Sequence, residues 1–227
     1  MFKHFLTAVG TVTLLAACTA TPEIQTGDDA EVILGGLHKV DNARTDMAYV
    51  DPSADFSKYD KILLMPLGVD NVEIIQPDTS GSMYRNRNKN WELTDSDKDK
   101  LQQVYREAMV KQLDTKGGYS IVTEPGDDVL QIQASLIAIA PSAPKDDGMS
   151  RGAGRSRVYT EGAGSLAVMV AFGDSETGDV LALMKDSRSS TSFWGANNSV
   201  TNMSDVRNMF SSWAIQIRKR LDEVHGK

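Results

Sequence analysis

One stretch of the sequence matches a pattern that hydrolases use to present a nucleophile. Gly148-Met149-Ser150-Arg151-Gly152 has the G-x-S-x-G spacing, in which a sharp turn lifts a serine hydroxyl above the end of a strand. That turn needs a strand before it and a helix after it, whereas Pro141 and Pro144 precede this stretch and further glycines follow it. The only histidine downstream that could activate the serine is His225, near the chain end. We therefore interpret the stretch as a glycine-rich loop.

Nucleotide and metal sites are not indicated by the remaining motifs. Gly152-Ala153-Gly154 and Gly162-Ala163-Gly164 do not lead into a predicted helix, so neither completes a dinucleotide-binding fingerprint. The three histidines are spread along the chain, and a zinc site needs clustered ligands. The acidic pairs Asp127-Asp128 and Asp146-Asp147 are typical of turns. We expect no catalytic residue, no metal and no cofactor.

Two polar loops concentrate positive charge on an acidic chain, whose formal net charge is −7 over 227 residues. The six basic side chains of these loops are Arg85, Arg87, Lys89, Arg151, Arg155 and Arg157. They are candidates for binding an anionic glycan, a lipid headgroup or an acidic protein surface, and the alternative is that they are simply solvated. The acidic balance of the whole chain argues against a general nucleic-acid binder, which needs a basic surface.

The first residues predict a targeting segment. Lys3 and His4 precede an uncharged run over residues 5–17, followed by Cys18. A spanning helix needs roughly 20 apolar residues, so this run is too short for a transmembrane anchor. Cys18 is the only cysteine, which excludes an intramolecular disulfide and any multi-cysteine zinc site. We expect residues 1–17 to be a signal peptide.

Leu15-Ala16-Ala17-Cys18 resembles the lipobox of bacterial lipoproteins. In those proteins a diacylglycerol is attached to the cysteine sulfur, the chain is cleaved before the cysteine, and the new amino group is acylated. The resemblance implies lipidation of Cys18, and three acyl chains at about 0.8 kcal/mol per buried methylene make an effectively permanent anchor. Thr19, rather than aspartate, follows the cysteine, which by similarity to the enterobacterial sorting rule implies the outer membrane.

The predicted mature chain divides into a tether and one domain. Removing 17 residues from 227 leaves 210, and the loss of Lys3 takes the formal net charge to −8. Residues 18–36 are rich in threonine, alanine, proline and glycine and show little periodicity, which predicts a flexible tether. Residues 37–227 are expected to form a single periplasmic domain, irregular over residues 37–57 and with long loops at 69–91 and 141–161.

Hydrophobic periodicity predicts the main elements of that domain. Strands are expected over residues 62–67, 119–122, 129–140, 166–172 and 180–185. A first helix is expected from the N-cap Thr94 to Gly117-Gly118, and a second from Met203 to the C-terminal region. The fold class is therefore α+β (α/β), with a mixed sheet of about five strands and two main helices on one face.

Several segments resemble the bacterial lipoprotein family known as domain of unknown function 3313. The resemblance rests on the lipobox, Tyr59-Asp60-Lys61-Ile62, residues 119–130, residues 174–183 and the last helix around Trp213-Ala214. It implies a similar fold, no settled activity and no assigned catalytic residues. We expect an outer-membrane lipoprotein with a non-enzymatic structural or accessory binding role, held to the membrane by its lipid and able to meet an envelope protein partner. A subunit of an envelope transport or secretion complex, or a periplasmic hydrolase, remain alternatives.

Overall fold

The computed structural model describes residues 20–77, 90–142, 159–161, 164–190, 194–196 and 199–227. The strands of these ranges are β1 Glu23–Ile24, β2 Val32–Ile33, β3 Leu37–Asp41, β4 Met47–Val50, β5 Lys61–Leu64, β6 Glu73–Ile74, β7 Ser120–Val122, β8 Val129–Pro141, β9 Tyr159–Glu161, β10 Gly164–Asp174, β11 Val180–Ser189 and β12 Trp194–Ala196. The helices are α1 Asp95–Val110, which continues as a π-helical turn over Lys111–Thr115, and α2 Ser199–Val224; a 3₁₀ turn covers Phe56–Lys58.

Ten of these strands form one mixed sheet in the order β1-β3-β4-β11-β10-β8-β5-β7, with β2 added to β3 and β6 to β8. The expectation of about five strands is therefore too low, although the mixed α+β class is confirmed. The strands missed from the sequence are short, and β3 and β4 lie in the segment that was expected to be irregular. Four or five residues are too few for a clear alternation, so pairing with a long neighbouring strand determines their conformation.

The strand expected over residues 62–67 exists as β5, but it begins at Lys61 and ends at Leu64. It pairs in parallel with β7 on one side and β8 on the other. Ile62 and Leu64 are buried, while Leu63 on the opposite face is only partly covered. The β5–α1–β7 unit is thus a parallel crossover, and the strands from β8 through β10, β11 and β4 to β3 pair in antiparallel fashion.

Local signals at the start of α1 explain where it begins. The Thr94 hydroxyl accepts a hydrogen bond from the Asp97 backbone N–H at 3.2 Å, and the Asp97 carboxylate accepts one from the Thr94 N–H at 3.2 Å. This reciprocal capping box satisfies two backbone donors that the first turn would leave free. Asp95 and Asp97 also place negative charge at the positive end of the helix dipole.

The end of the same helix follows an equally local pattern. The Gly118 N–H donates to the Asp114 carbonyl at 2.8 Å, and the Tyr119 N–H donates to the Leu113 carbonyl at 3.0 Å. Gly118 has φ of +75°, so its bond to Asp114 forms an αL C-cap with glycine in the left-handed position, after the π-helical turn over Lys111–Thr115. Leu113 and Tyr119, which the second of these bonds joins, are both buried.

Both helices cover the same face of the sheet. One small internal cavity is lined by Tyr105 and Met109 of α1, by Phe210 and Trp213 of α2, and by residues of β8 and β10. The predicted arrangement of two helices on one face is therefore confirmed. Their apolar stripes and the inward side chains of the central strands form one contiguous core.

A register shift in the longest strand pair changes one predicted face. Along β8 the side chains of Leu130, Ile132, Ala134 and Leu136 are buried towards the helices, as the alternation predicts. The pairing with β10 then shifts, so that Leu136 lies opposite Val168 but Ala138 lies opposite Ala167. Strict alternation would place Ala138 with these inward residues, and the bulge turns it to the other face.

The segment expected to be a tether is partly built into the sheet. β1 pairs with β3 through Glu23 opposite Asp41, and β2 pairs with β3 as well. Residues 23–24 and 32–33 therefore belong to the sheet, so this part of the segment expected to be a flexible tether over residues 18–36 is held by strand pairing. Composition misled here because these strands have only two residues each. Within the described ranges, no helix combines the length and apolar character needed to cross a bilayer.

Candidate functional site

An apolar cleft of about 300 Å³ lies between the sheet and the C-terminal half of α2. Its floor is formed by β4 and β11, where Ala48 lies opposite Met184 and Ala182 lies opposite Val50. Its wall is formed by α2 residues Ile217, Leu221 and Val224. The space exists because alanine stands at two floor positions, where a larger side chain would fill the gap between the sheet and the helix.

The described lining of this apolar cleft suits binding better than catalysis. It includes aromatic and aliphatic side chains and, among polar groups, Thr45, Tyr49, Gln216 and two arginines, but no carboxylate, histidine, cysteine or serine. A nucleophile and its base would have to lie within hydrogen-bond distance of each other, and these lining residues offer no such pair. The chemistry available inside the cleft is the burial of an apolar group.

Positive charge is concentrated where the apolar cleft opens. A neighbouring cleft of about 320 Å³ is lined by Arg44, Arg188, Lys219 and Arg220, with Glu223 as its one acidic residue. We call these four basic residues the basic mouth. The two clefts share Arg44, Gln216 and Arg220 in their linings, so the basic mouth adjoins the apolar cleft directly. This excess of cations stands out on a chain with a net charge of −7.

Arg188 is held in place by its own contacts. Its Nε donates to Asp186 Oδ2 at 3.0 Å, and its two terminal nitrogens contact Ser212 and Gln216 of α2. The Trp213 indole N–H also donates to Asp186 Oδ2, at 2.7 Å, and Asp186 is buried. Arg188 therefore compensates a buried carboxylate and fastens β11 to α2, and its role in the basic mouth is primarily structural.

The other members of the basic mouth differ in how they are paired. Arg220 forms a half-exposed ion pair with Glu223 at 2.5 Å. Arg44 and Lys219 are exposed and, among the described residues, form no ion pair. Two cationic side chains at the opening of an apolar cleft are thus available to an anionic group from outside the chain.

A polar groove adjoins the basic mouth and shares Arg44, Arg188 and Ser212 with the cleft that the mouth lines. It has a volume of about 440 Å³ and is lined by Arg44, Arg188, Asp186, Asp205 and a series of serines. Its two arginines are matched by two carboxylates, so it carries no net excess of charge. The groove is larger than the apolar cleft, but its balanced, hydrophilic lining offers less basis for ligand selection.

The residues singled out in the sequence do not form this site. Cys18, the six basic loop residues and Ser150 lie outside the described residues, so their predicted roles stay predictions. His38 and His225 are described and lie apart: the His38 ring bonds the Gln25 carbonyl at 2.8 Å, and the His225 ring bonds the Leu221 carbonyl at 2.7 Å. Within the described ranges no three histidine, cysteine or acidic side chains come together in a metal-binding arrangement.

Sequence reasoning missed Arg44, Lys219 and Arg220 for two reasons. Arg44 lies in a segment that was expected to be irregular, and its position depends on the unpredicted strands β3 and β4. Lys219 and Arg220 lie near a helix C-terminus, where basic residues are commonly explained by the helix dipole. The one available signal was the cluster of three basic residues, 218–220, on a helix whose other face is apolar.

The fold and the cleft define a two-layer α+β domain, in which two helices leave part of a wide sheet open as an amphipathic pocket. The chain belongs to the family of proteins of unknown function DUF3313, whose model matches residues 35–217. This confirms the family resemblance expected from the sequence. No curated protein matches the chain.

Some solved structures are similar to the chain at a low level. An uncharacterized protein has 8% identity and a TM-score of 0.40, covering 72% of this chain and 93% of that chain. The PelC dodecamer from Paraburkholderia phytofirmans has 11% identity and a TM-score of 0.33, covering 71% and 88%. A protein from Caulobacter crescentus, provisionally described as a lipoprotein, has 14% identity and a TM-score of 0.33, covering 56% and 85%. Similarity at this level carries no functional argument.

Proposed function

We propose that this protein is an outer-membrane lipoprotein whose domain, on the periplasmic side, is a non-enzymatic binding module. The domain takes an apolar ligand into the cleft between β4, β11 and the C-terminal half of α2. The lipid on Cys18 holds the module at the membrane surface. The observation that carries the binding role is the apolar cleft with its floor of small residues.

The cleft has the features of a ligand site rather than of a packing defect. Its volume of about 300 Å³ is at the lower end of the range for small-molecule pockets, and its lining is largely apolar with a few polar groups at the opening. The residues that form it come from the rigid sheet and from a long helix, so it is largely formed before any ligand arrives. Binding would bury apolar surface at about 25 cal/mol per Å².

The position of the predicted anchor fits a ligand drawn from the membrane. Pro22 lines the apolar cleft, and it follows Cys18 by only four residues. Four extended residues span at most about 14 Å, so a lipid on Cys18 would keep the cleft close to the bilayer surface. A ligand that partitions into the membrane would then be at high local concentration near the cleft.

A cavity-filling substitution tests the binding role. Ala182→Leu adds side-chain volume to the floor of the apolar cleft, and we expect it to weaken binding of the neutral dye N-phenyl-1-naphthylamine about tenfold or more, because the dye and the leucine compete for the same space. The measurement is a fluorescence titration of the full chain. Circular dichroism on the same samples checks that the variant is folded.

The matched control is Ala171→Leu. Ala171 lies on the neighbouring strand β10 and pairs with Leu183, so it faces away from the helices. We expect this variant to bind the dye as the unmodified protein does. Absence of dye binding to the unmodified protein, or equal loss in both variants, would contradict a ligand site in the cleft.

A further inference from the structure

We infer that the ligand of the apolar cleft is a single-chain amphiphile with an anionic headgroup, its chain in the cleft and its headgroup between Arg44 and Lys219. This inference rests on the proposed binding function and names the class of ligand. The observation behind it is the junction of two adjacent clefts, one apolar and one basic, that share Arg44, Gln216 and Arg220.

The size of the apolar cleft favours one chain over two. About 300 Å³ is near the minimum for a small-molecule pocket, and the floor is a narrow strip of two strands, β4 and β11. A single alkyl chain can enter this strip lengthwise, whereas a diacyl lipid would have to leave its second chain in water. Each buried methylene contributes about 0.8 kcal/mol to the binding free energy. A ligand whose whole apolar part is covered therefore binds more tightly than one that leaves a chain in water.

The charges at the opening select the headgroup. Arg188 already compensates the buried Asp186, and Arg220 is engaged by Glu223. Arg44 and Lys219 have no ion-pair partner among the described residues. Because both side chains are exposed, their charges remain hydrated in the protein without ligand. Gln216, shared by both clefts, adds an amide that can donate a hydrogen bond at the same place. An anion is therefore attracted and a cation repelled at this opening.

The acyl chains of the predicted anchor itself are a less suitable occupant. Pro22 in the lining brings the predicted Cys18 lipid within reach of the cleft. However, a diacylglyceryl thioether and an acylated amino group carry no charge, so they would leave Arg44 and Lys219 without a counterpart. Charge complementarity thus favours a separate, anionic amphiphile.

Three ligands that each have a single alkyl chain but differ in headgroup charge test whether the site prefers an anion. We expect the full chain at low ionic strength to bind dodecanoate at least tenfold more tightly than dodecanol, and dodecyltrimethylammonium most weakly, as measured by isothermal titration calorimetry below the micellar concentration. Arg44→Gln together with Lys219→Gln should lower the affinity for dodecanoate tenfold or more, so that dodecanoate and dodecanol bind equally well. Lys116→Gln, which removes an exposed lysine elsewhere, should leave both affinities unchanged.

Headgroup preference and binding to the apolar cleft can fail separately in these titrations. Equal affinity for the three headgroups would overturn the anionic class and leave an apolar binding site intact. Failure to bind any of the three would overturn the proposed binding function itself. If the lipidated chain does not bind dodecanoate but the Cys18→Ala chain does, the cleft holds the protein's own anchor and the inference is wrong.

Discussion

At the scale of single residues, Asp174 organises the turn that joins β10 to β11. Its carboxylate accepts hydrogen bonds from the Thr177 N–H at 3.1 Å, the Tyr59 hydroxyl at 2.8 Å, the Lys58 ammonium at 3.0 Å and the Glu176 N–H at 3.0 Å. These donors, the Thr177 N–H foremost, hold the pKa of Asp174 well below its usual range. One carboxylate therefore connects the hairpin turn to the segment that precedes β5.

The pKa of Asp174 predicts how stability depends on pH. A carboxyl group whose pKa is lower in the folded state than in the unfolded state stabilises the fold above its unfolded pKa, near 3.8, and this contribution is lost as the pH falls through the folded value. We expect Asp174→Asn to lower the free energy of unfolding by about 2 kcal/mol at pH 7. The difference from the unmodified protein should shrink in acid below about pH 4. Urea denaturation at pH 7 and pH 3 measures both effects.

Glu176→Gln is the control for this variant. Glu176 lies in the same turn, is exposed, and contributes only its backbone N–H to Asp174. Its substitution should change the unfolding free energy by less than about 0.5 kcal/mol. A Glu176→Gln effect as large as that of Asp174→Asn would show that the turn responds to charge in general, not to the bonds of one carboxylate.

At the scale of elements, periodicity and capping signals predicted the long helices and strands but missed most of the short strands. Thr94 caps the start of the first helix and Gly118 stops the chain after its end, and both act through residues close to them in sequence. The expected limits of this helix are therefore correct. β1 and β2 have two residues each and exist only because β3 offers them backbone partners. The bulge beyond Leu136 was equally invisible, since it arises from the pairing of β8 with β10. Tertiary pairing outweighs local propensity in such cases.

Gly118 allows a direct test of one of these local signals. Its φ of +75° strains any L-residue, whereas a Cβ at this position would meet no other atom within 4 Å. We expect Gly118→Ala to lower the free energy of unfolding by about 1 kcal/mol, and Gly118→Asn by less, because asparagine tolerates the left-handed region better. Chemical denaturation measures the loss.

Gly36→Ala serves as the comparison, because Gly36 also has open space around it but no positive φ. Its stability should stay within about 0.5 kcal/mol of the unmodified protein. If Gly118→Ala proved equally neutral, the left-handed glycine cap would not be what ends the helix.

At the scale of the whole molecule, the site could not be predicted from the sequence although most of the fold could. The apolar cleft depends on where α2 crosses β4 and β11, strands that are far apart along the chain. Arg44 and Lys219 come together only through that crossing, so their spacing in sequence carries no signal. Motif searches address contiguous residues, whereas this site is assembled from three separate elements.

The attachment of the whole molecule to the membrane has its own test. We expect Cys18→Ala to abolish acyl labelling and membrane retention, because the predicted lipid is attached to that sulfur and no other cysteine is present. Metabolic labelling with a fatty-acid analogue and fractionation of the envelope measure the two effects. Thr19→Ala, next to the predicted site, is the control and should fractionate normally; an unchanged distribution of Cys18→Ala would refute the lipoprotein assignment.

The strand order has a consequence for how the chain acquires its structure. β4, at residues 47–50, is hydrogen-bonded to β11, at residues 180–189, and β5 is hydrogen-bonded to β8, which starts at residue 129. A chain made from its N-terminus thus cannot complete the first half of its sheet until nearly all of it has been synthesised. The hairpin β10–β11 can close early, because its partners are neighbours along the chain, and it provides the edge onto which the earlier strands later assemble. Until then β4 lacks its pairing with β11, and β5 lacks its pairings with β7 and β8 until those strands have been made.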